Sequence, residues 1–195
     1  MEGVFASAWG CMRGRIFSIM LAIAALCVAG QAVASGFTLT SSDLGGQLTE
    51  KQVFSGFGCQ GQNISPALKW SHAPAGTKSF AVTVYDPDAP TGSGWWHWIV
   101  FNIPAEINEL LSGSGSMGSS QLPKGSIQSI TDFGKTEFGG ACPPAGDKPH
   151  QYIFTVFAVD EAKLSLDEHA SPAMVGFFLN QHAIAKASLV AYYQR

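Results

Sequence analysis

From Ser79 the chain reads "SFAVTVYD", with Phe80, Val82 and Val84 on one side and Ala81, Thr83 and Tyr85 on the other. That period of two predicts a half-buried strand. "WWHWIVFNI" from Trp95 and "HQYIFTVFAVD" from His150 are apolar on both sides, which predicts strands covered on each face. "FTLTSSDL" from Phe37, "VFSGFG" from Val53 and "PALKWS" from Pro66 add shorter strands, and "AKASLVAYYQ" from Ala185 adds a closing one. Pro74-Ala75-Gly76 and Pro123-Lys124-Gly125 are turns. "SGSGSMGSS", Ser112 to Ser120, reads as a flexible low-complexity loop.

One segment carries a helical period instead. Ser171 is an N-cap, and Pro172 occupies the first helical position, where its missing N–H costs nothing. Met174, Phe177, Phe178 and Gln181 then fall at helical spacing, which predicts a buried amphipathic helix over "PAMVGFFLNQHAI", weakened by Gly176. The class is mainly β with a late helix, built as packed layers.

The first 34 residues break this pattern. Arg13 and Arg15 precede an uncharged apolar stretch, Ile16 to Ala29, and Ala32-Val33-Ala34 supplies small residues for cleavage after Ala34. This is the layout of a secretory signal peptide, with translation starting at Met1 or Met12. An uncleaved membrane anchor is the alternative, but the apolar run is short for a span. The expected mature chain is one domain, residues 35–195, in the periplasm or outside the cell. Losing the leader removes one acid and two bases from the 14 and 11 of the whole chain and leaves a net charge of −4. No basic run marks a nucleic-acid partner, and no later stretch could form a stable membrane span.

Beyond the leader only Cys59 and Cys142 remain. In an oxidising compartment an even pair predicts a disulfide, with two free thiols or a metal site as alternatives.

Candidate chemistry gathers at two stiff loops. Pro87 to Gly94 connects two strands as an antiparallel hairpin, so Asp86 and His97 come to the same end of a sheet. Strict alternation puts His97 on one face with Trp95, Ile99 and Phe101, where the ring needs a hydrogen-bond partner. Asp86 is the expected acceptor, fixing the tautomer and favouring the charged ring. For any one residue alone, a turn aspartate or a satisfied core histidine is the better explanation. A second segment, "GGACPPAGDKPHQY", repeats the composition, with His150 and Tyr152 on one face of the strand it opens. Two such loops point to a single pocket.

"DPDAPTGSGWWHW", "DFGKTEFGGACPPAGDKPHQY" and "NISPALKW" closely resemble the signature blocks of the phosphatidylethanolamine-binding (Raf kinase inhibitor-like) family, in its bacterial, exported branch. The resemblance runs from Phe37 to about Tyr193. It implies two packed, mostly antiparallel β-sheets and a small pocket for phosphate-like groups, including phosphoethanolamine. Carried over by motif, the ligand-binding residues are Asp86, Asp88, Pro90, His97, Gly140, Cys142, His150 and Tyr152, with a cis Ala89–Pro90 bond. Histidine and tyrosine donors suit phosphate oxygens. The two aspartates orient the imidazoles or meet a ligand ammonium, so a zwitterionic head group satisfies both. Trp96 stands where eukaryotic members often carry another histidine. The resemblance allows a homodimer and unidentified protein partners, and implies no cofactor and no resident metal.

The rival reading is an enzyme. A hydrolase, or a metal site of Asp86, Asp88, His97 and His150, uses the same residue types. The sequence has no G-x-S-x-G elbow and no H-E-x-x-H, and "DFG" at Asp132 lacks the other kinase motifs. A non-enzymatic binding protein is the preferred reading.

Overall fold

The computed structural model describes residues 36–116 and 118–195. The expected signal peptide lies outside them. In chain order the described elements are β1 (Thr38–Thr40), β2 (Ser55–Gly56), β3 (Cys59–Gln60), β4 (Leu68–Ser71), β5 (Ser79–Asp86) and β6 (Trp95–Pro104). They continue with β7 (Glu109–Leu110), β8 (Ile127–Gln128), β9 (His150–Val159), α1 (Pro172–His182) and β10 (Ala183–Tyr193).

Antiparallel pairing builds a large sheet in the order β10-β9-β5-β6-β8 and a small one in the order β1-β4-β7, with β2 and β3 as a separate hairpin. β5 lies between β6 and β9, and all three long apolar strands are inside the large sheet. One face of that sheet packs Phe80, Val82, Val84, Trp98, Phe154 and Val156 against Leu39, Leu68, Trp70 and Leu110 of the small sheet. The other face packs Ala81, Ile99, Phe101 and Val159 against Val175 and Leu179 of α1. The fold is mainly β with one short helix, as the periodicity predicts.

Four local expectations are corrected. α1 has its Ser171 cap, whose hydroxyl accepts from the Met174 amide, but Met174 and Phe177 are about half exposed. Val175 and Leu179, four apart, form the buried stripe, because the sheet meets the helix one residue out of phase with the expected face. "FTLTSSDL" and "VFSGFG" yield only three- and two-residue strands. The serine- and glycine-rich loop is partly core. Ser114 and Gly115 are buried, and the Gly115 amide donates to the Ser65 hydroxyl at 2.9 Å. A Cβ at Gly115 would stand 2.8 Å from Phe138 and 2.9 Å from Trp98, so smallness there serves packing rather than flexibility.

The fourth correction concerns β6. Val84 pairs with Trp98 but Tyr85 pairs with Trp96, so His97 is the extra residue of a β-bulge. The bulge shifts the phase of the strand. Trp98 and Val100 join the core between the sheets, and Ile99 and Phe101 face α1. His97 therefore does not share a face with Ile99 and Phe101, although it does line a common cavity with Trp95.

Candidate functional site

The end of β5 and the starts of β6 and β9 lie at one end of the large sheet, and a cavity of about 190 Å³ opens there. Asp86, Trp95, His97, His150 and Tyr152 contribute from the strands; Ala89, Pro90 and Thr91 come from the β5–β6 hairpin. Phe57, Phe133, Cys142, Pro143 and Pro144 make an apolar wall. The two proline-bracketed segments do converge.

Asp86 is the hub. One oxygen accepts the amides of Asp88 at 2.8 Å and Ala89 at 3.1 Å, an Asx turn that launches the hairpin. The other accepts from His150 Nδ1 at 2.8 Å. The expected Asp86–His97 pairing is thus corrected. Asp86 stands between β6 and β9, and its free oxygen turns to β9 because the bulge has already given His97 another partner.

His150 also meets Asp147 through Nε2 at 3.2 Å. With a carboxylate on each nitrogen, both must donate, so the ring is an imidazolium. Burial pulls its pKa down, but the hydrogen bonds to Asp86 and then Asp147 outweigh it and hold the pKa above the ordinary value. His150 has no N–H left for a ligand.

His97 is the reverse. Its Nδ1 lies 2.7 Å from the Gly139 carbonyl, which can only accept, so Nδ1 carries a proton. Burial lowers the pKa of the ring, which favours the neutral form. Its Nε2 is then a lone pair. That atom is buried with no hydrogen-bond partner in the protein, as are the Tyr152 hydroxyl and Trp95 Nε1. Burial, aided by nearby Asp86, pushes the Tyr152 pKa far above the ordinary phenol range, so the hydroxyl stays protonated. Of the three unpartnered atoms around the cavity, the Trp95 indole can only donate, the neutral His97 Nε2 can only accept, and the Tyr152 hydroxyl can do either.

Other predicted residues fall elsewhere. Asp88 is outside the cavity lining. It accepts from Lys148 Nζ at 2.6 Å and from the Gln151 amide at 2.9 Å, and the Lys148 bond first among these holds its carboxyl below the usual range. It braces the two loops against each other. Gly140 is not at the cavity either. Its amide donates to Asn63 Oδ1 at 2.7 Å, and a Cβ there would lie 2.2 Å from the Gln52 carbonyl. Pro90, Cys142 and Tyr152 do line the cavity.

Cys142 is bonded to Cys59, closing 83 residues of sequence separation. The bond fixes the β2–β3 turn, with Phe57 at its tip, to the Ala141–Pro144 wall. Arg195 reinforces this, donating to the Pro143 carbonyl at 2.5 Å and the Gly58 carbonyl at 3.3 Å. Sequence reasoning missed Trp95, Asp147, Phe57, Phe133 and the Gly139 carbonyl as site groups. Asp147, three residues before His150, was the one legible signal. Among the described residues, the one group of three metal-capable side chains with converging ligand atoms is Asp160, Glu161 and His182, where Asp160 follows the end of β9 opposite His150. No described helix is long and apolar enough to cross a membrane.

The family model described as "Phosphatidylethanolamine-binding protein" matches residues 40–194. The UPF0098 protein YbcL of Escherichia coli is 51% identical over 185 residues, covering 94% of this chain and 99% of that relative. The UPF0098 protein YbhB of the same organism is 54% identical over 157 residues, covering 80% and 98%. The crystal structure of E. coli YbcL superposes with a TM-score of 0.80 over 82% of this chain and 98% of that one.

Proposed function

This chain belongs to the phosphatidylethanolamine-binding protein family, and we propose that its pocket is a binding site for a small phosphate-bearing or zwitterionic group such as phosphoethanolamine. One observation carries the reading: three buried polar atoms without protein partners, His97 Nε2, the Tyr152 hydroxyl and Trp95 Nε1, belong to residues around a single cavity. Each such group costs about 1–3 kcal/mol unless something bonds to it; five others are scattered among the described residues, and these three are the ones that share a cavity. The cavity is below the roughly 300–1,000 Å³ of drug-sized sites, which suits a head group rather than a whole lipid. In this reading Asp86 and His150 hold the site's shape and charge, while His97, Tyr152 and Trp95 touch the ligand. Pro90 and the Cys142 segment wall it.

Binding without turnover fits the residues better than hydrolysis. The Cys142 sulfur is in a disulfide, and the Thr91 hydroxyl donates to the Gly94 carbonyl. Export, with residues 35–195 as the mature domain, fits both the leader-like sequence and the disulfide. Any modulation of partner proteins would follow from ligand occupancy.

The test is Tyr152→Phe, which removes only the unpartnered hydroxyl. Calorimetric titration at pH 6 should find phosphoethanolamine bound about tenfold more weakly, with folding stability unchanged or higher. Unchanged affinity, or no binding by the native protein, would overturn the assignment.

A further inference from the structure

A second cavity, of about 210 Å³, lies on the other face of the large sheet, under α1. β9 shows the separation: His150 and Tyr152 line the first cavity, whereas Phe157, of opposite parity, lines the second. We propose that this second cavity binds a small hydroxylated aromatic monocarboxylate, its acid held at Lys186 and its ring hydroxyl at Thr83. The space comes from one missing side chain. Pro172, Val175, Gly176, Leu179 and Asn180 line it from the helix, at the i, i+3, i+4, i+7, i+8 spacing with which a helix meets a core. At Gly176 that stripe is empty: a Cβ added there would meet nothing within 4 Å. Glycine is a poor helix former and fills nothing here, so neither propensity nor packing accounts for it.

The walls choose the chemistry. Trp96 and Phe157 offer ring surface, and Ile99, Val175 and Leu179 are buried aliphatic neighbours. Roughly 150 Å³ of apolar cavity holds one benzene, so 210 Å³ has room for a ring with a short arm. Among the described residues lining the cavity, Lys186 is the one that is charged, and none is a carboxylate. Lys186 is exposed and has no ion pair among the described residues, so an anion at the mouth meets an uncompensated cation. Thr83 is only 6% exposed, yet its hydroxyl has no hydrogen-bond partner among the described residues. It can both donate and accept, as a phenol does. The two groups stand at opposite ends of the lining. Lys186 pairs with Phe157 on β9, and Thr83 pairs with Thr155 from the far side of that strand. Two strand spacings across and two residues along put their Cα atoms about 12 Å apart. A carboxylate at one and a ring hydroxyl at the other span that distance once the lysine side chain reaches inward.

Titration calorimetry with 3-(4-hydroxyphenyl)propionate at about pH 7 should show one site per chain. Removing the charge, with the corresponding alcohol or with Lys186→Met, should weaken binding about two- to fivefold, the range of an exposed ion pair. Removing the ring hydroxyl, with 3-phenylpropionate, should weaken it about two- to tenfold, and Thr83→Val should erase the difference between the two acids. Gly176→Leu fills the gap and favours the helix, so it should melt no lower and bind at least about tenfold more weakly. In two-dimensional NMR the acid should shift the signals of Thr83, Trp96 and Gly176, and phosphoethanolamine should not compete. No binding of the hydroxylated acid, equal affinity for the two acids or for acid and alcohol, or full affinity in Gly176→Leu overturns the proposal. Shifts confined to His97 and Tyr152 also overturn it, because they put the acid in the head-group cavity. Failure of phosphoethanolamine to bind bears on the first cavity and leaves this one standing.

Discussion

Two walls of one cavity carry a histidine each, and they are built on opposite principles. The β9 wall is self-sufficient: His150 lies between Asp86 and Asp147, charged and fully bonded. The β6 wall is incomplete: His97 has a carbonyl behind it and an unpartnered nitrogen in front. The difference shows that a buried imidazole does not announce its own role. The partner on the far nitrogen decides whether it is a strut or a contact, and only the contact leaves something for a ligand to satisfy.

The contrast can be broken at several strengths. The largest effect should come from Asp86→Asn, which strips a buried pair, 1% and 4% exposed, of its negative partner. Urea unfolding should show a loss of about 3–5 kcal/mol. A loss under 1 kcal/mol would mean that His150 is neutral and the two walls are alike. Next comes the brace on the apolar wall. Serine at both Cys59 and Cys142 should cost about 2–4 kcal/mol and loosen the Phe57 turn and the Ala141–Pro144 wall together. Ligand affinity should fall with it, because the cavity's apolar wall is no longer pre-ordered.

pH separates the walls by sign. The His150 pKa is raised above 6.5 on folding, so its contribution is complete below that value and is lost as pH rises through the folded pKa. The His97 pKa is lowered below 6.5, so its contribution is complete above that value and is lost as pH falls through the depressed pKa. Urea titrations from pH 5 to pH 8 should therefore find His97→Gln less sensitive to acid than the native protein, and His150→Gln less sensitive to alkali. Parallel profiles for the two variants would erase the distinction. The smallest effect belongs to Lys148→Ala. Asp88 keeps the Gln151 amide, and the lysine is exposed, so melting temperature and ligand affinity should both stay close to native.

Much of the fold was legible because strand and helix periods are local. The β5–β6 hairpin, β9, β10 and the Ser171-capped helix all stand where the patterning puts them. The convergence of the two loops and the Cys59–Cys142 bond were also legible, from paired composition and from cysteine count. Partner choice was not. Nearness in sequence assigned Asp86 to His97, eleven positions on, whereas the carboxylate bonds to His150 from 64 positions away. Asp88 and Gly140, read as pocket residues by motif, serve loop bracing and close packing.

By itself the sequence determined which long segments become strands, where the helix begins, which cysteines can meet and which two loops converge, since each follows from short-range periodicity and residue chemistry. The tertiary structure decided the rest. The sheet order β9-β5-β6 and the single inserted residue at His97 set which nitrogen faces which oxygen. Hydrogen bonding is decided over tenths of an ångström between strands far apart in the chain, and no local pattern records that distance.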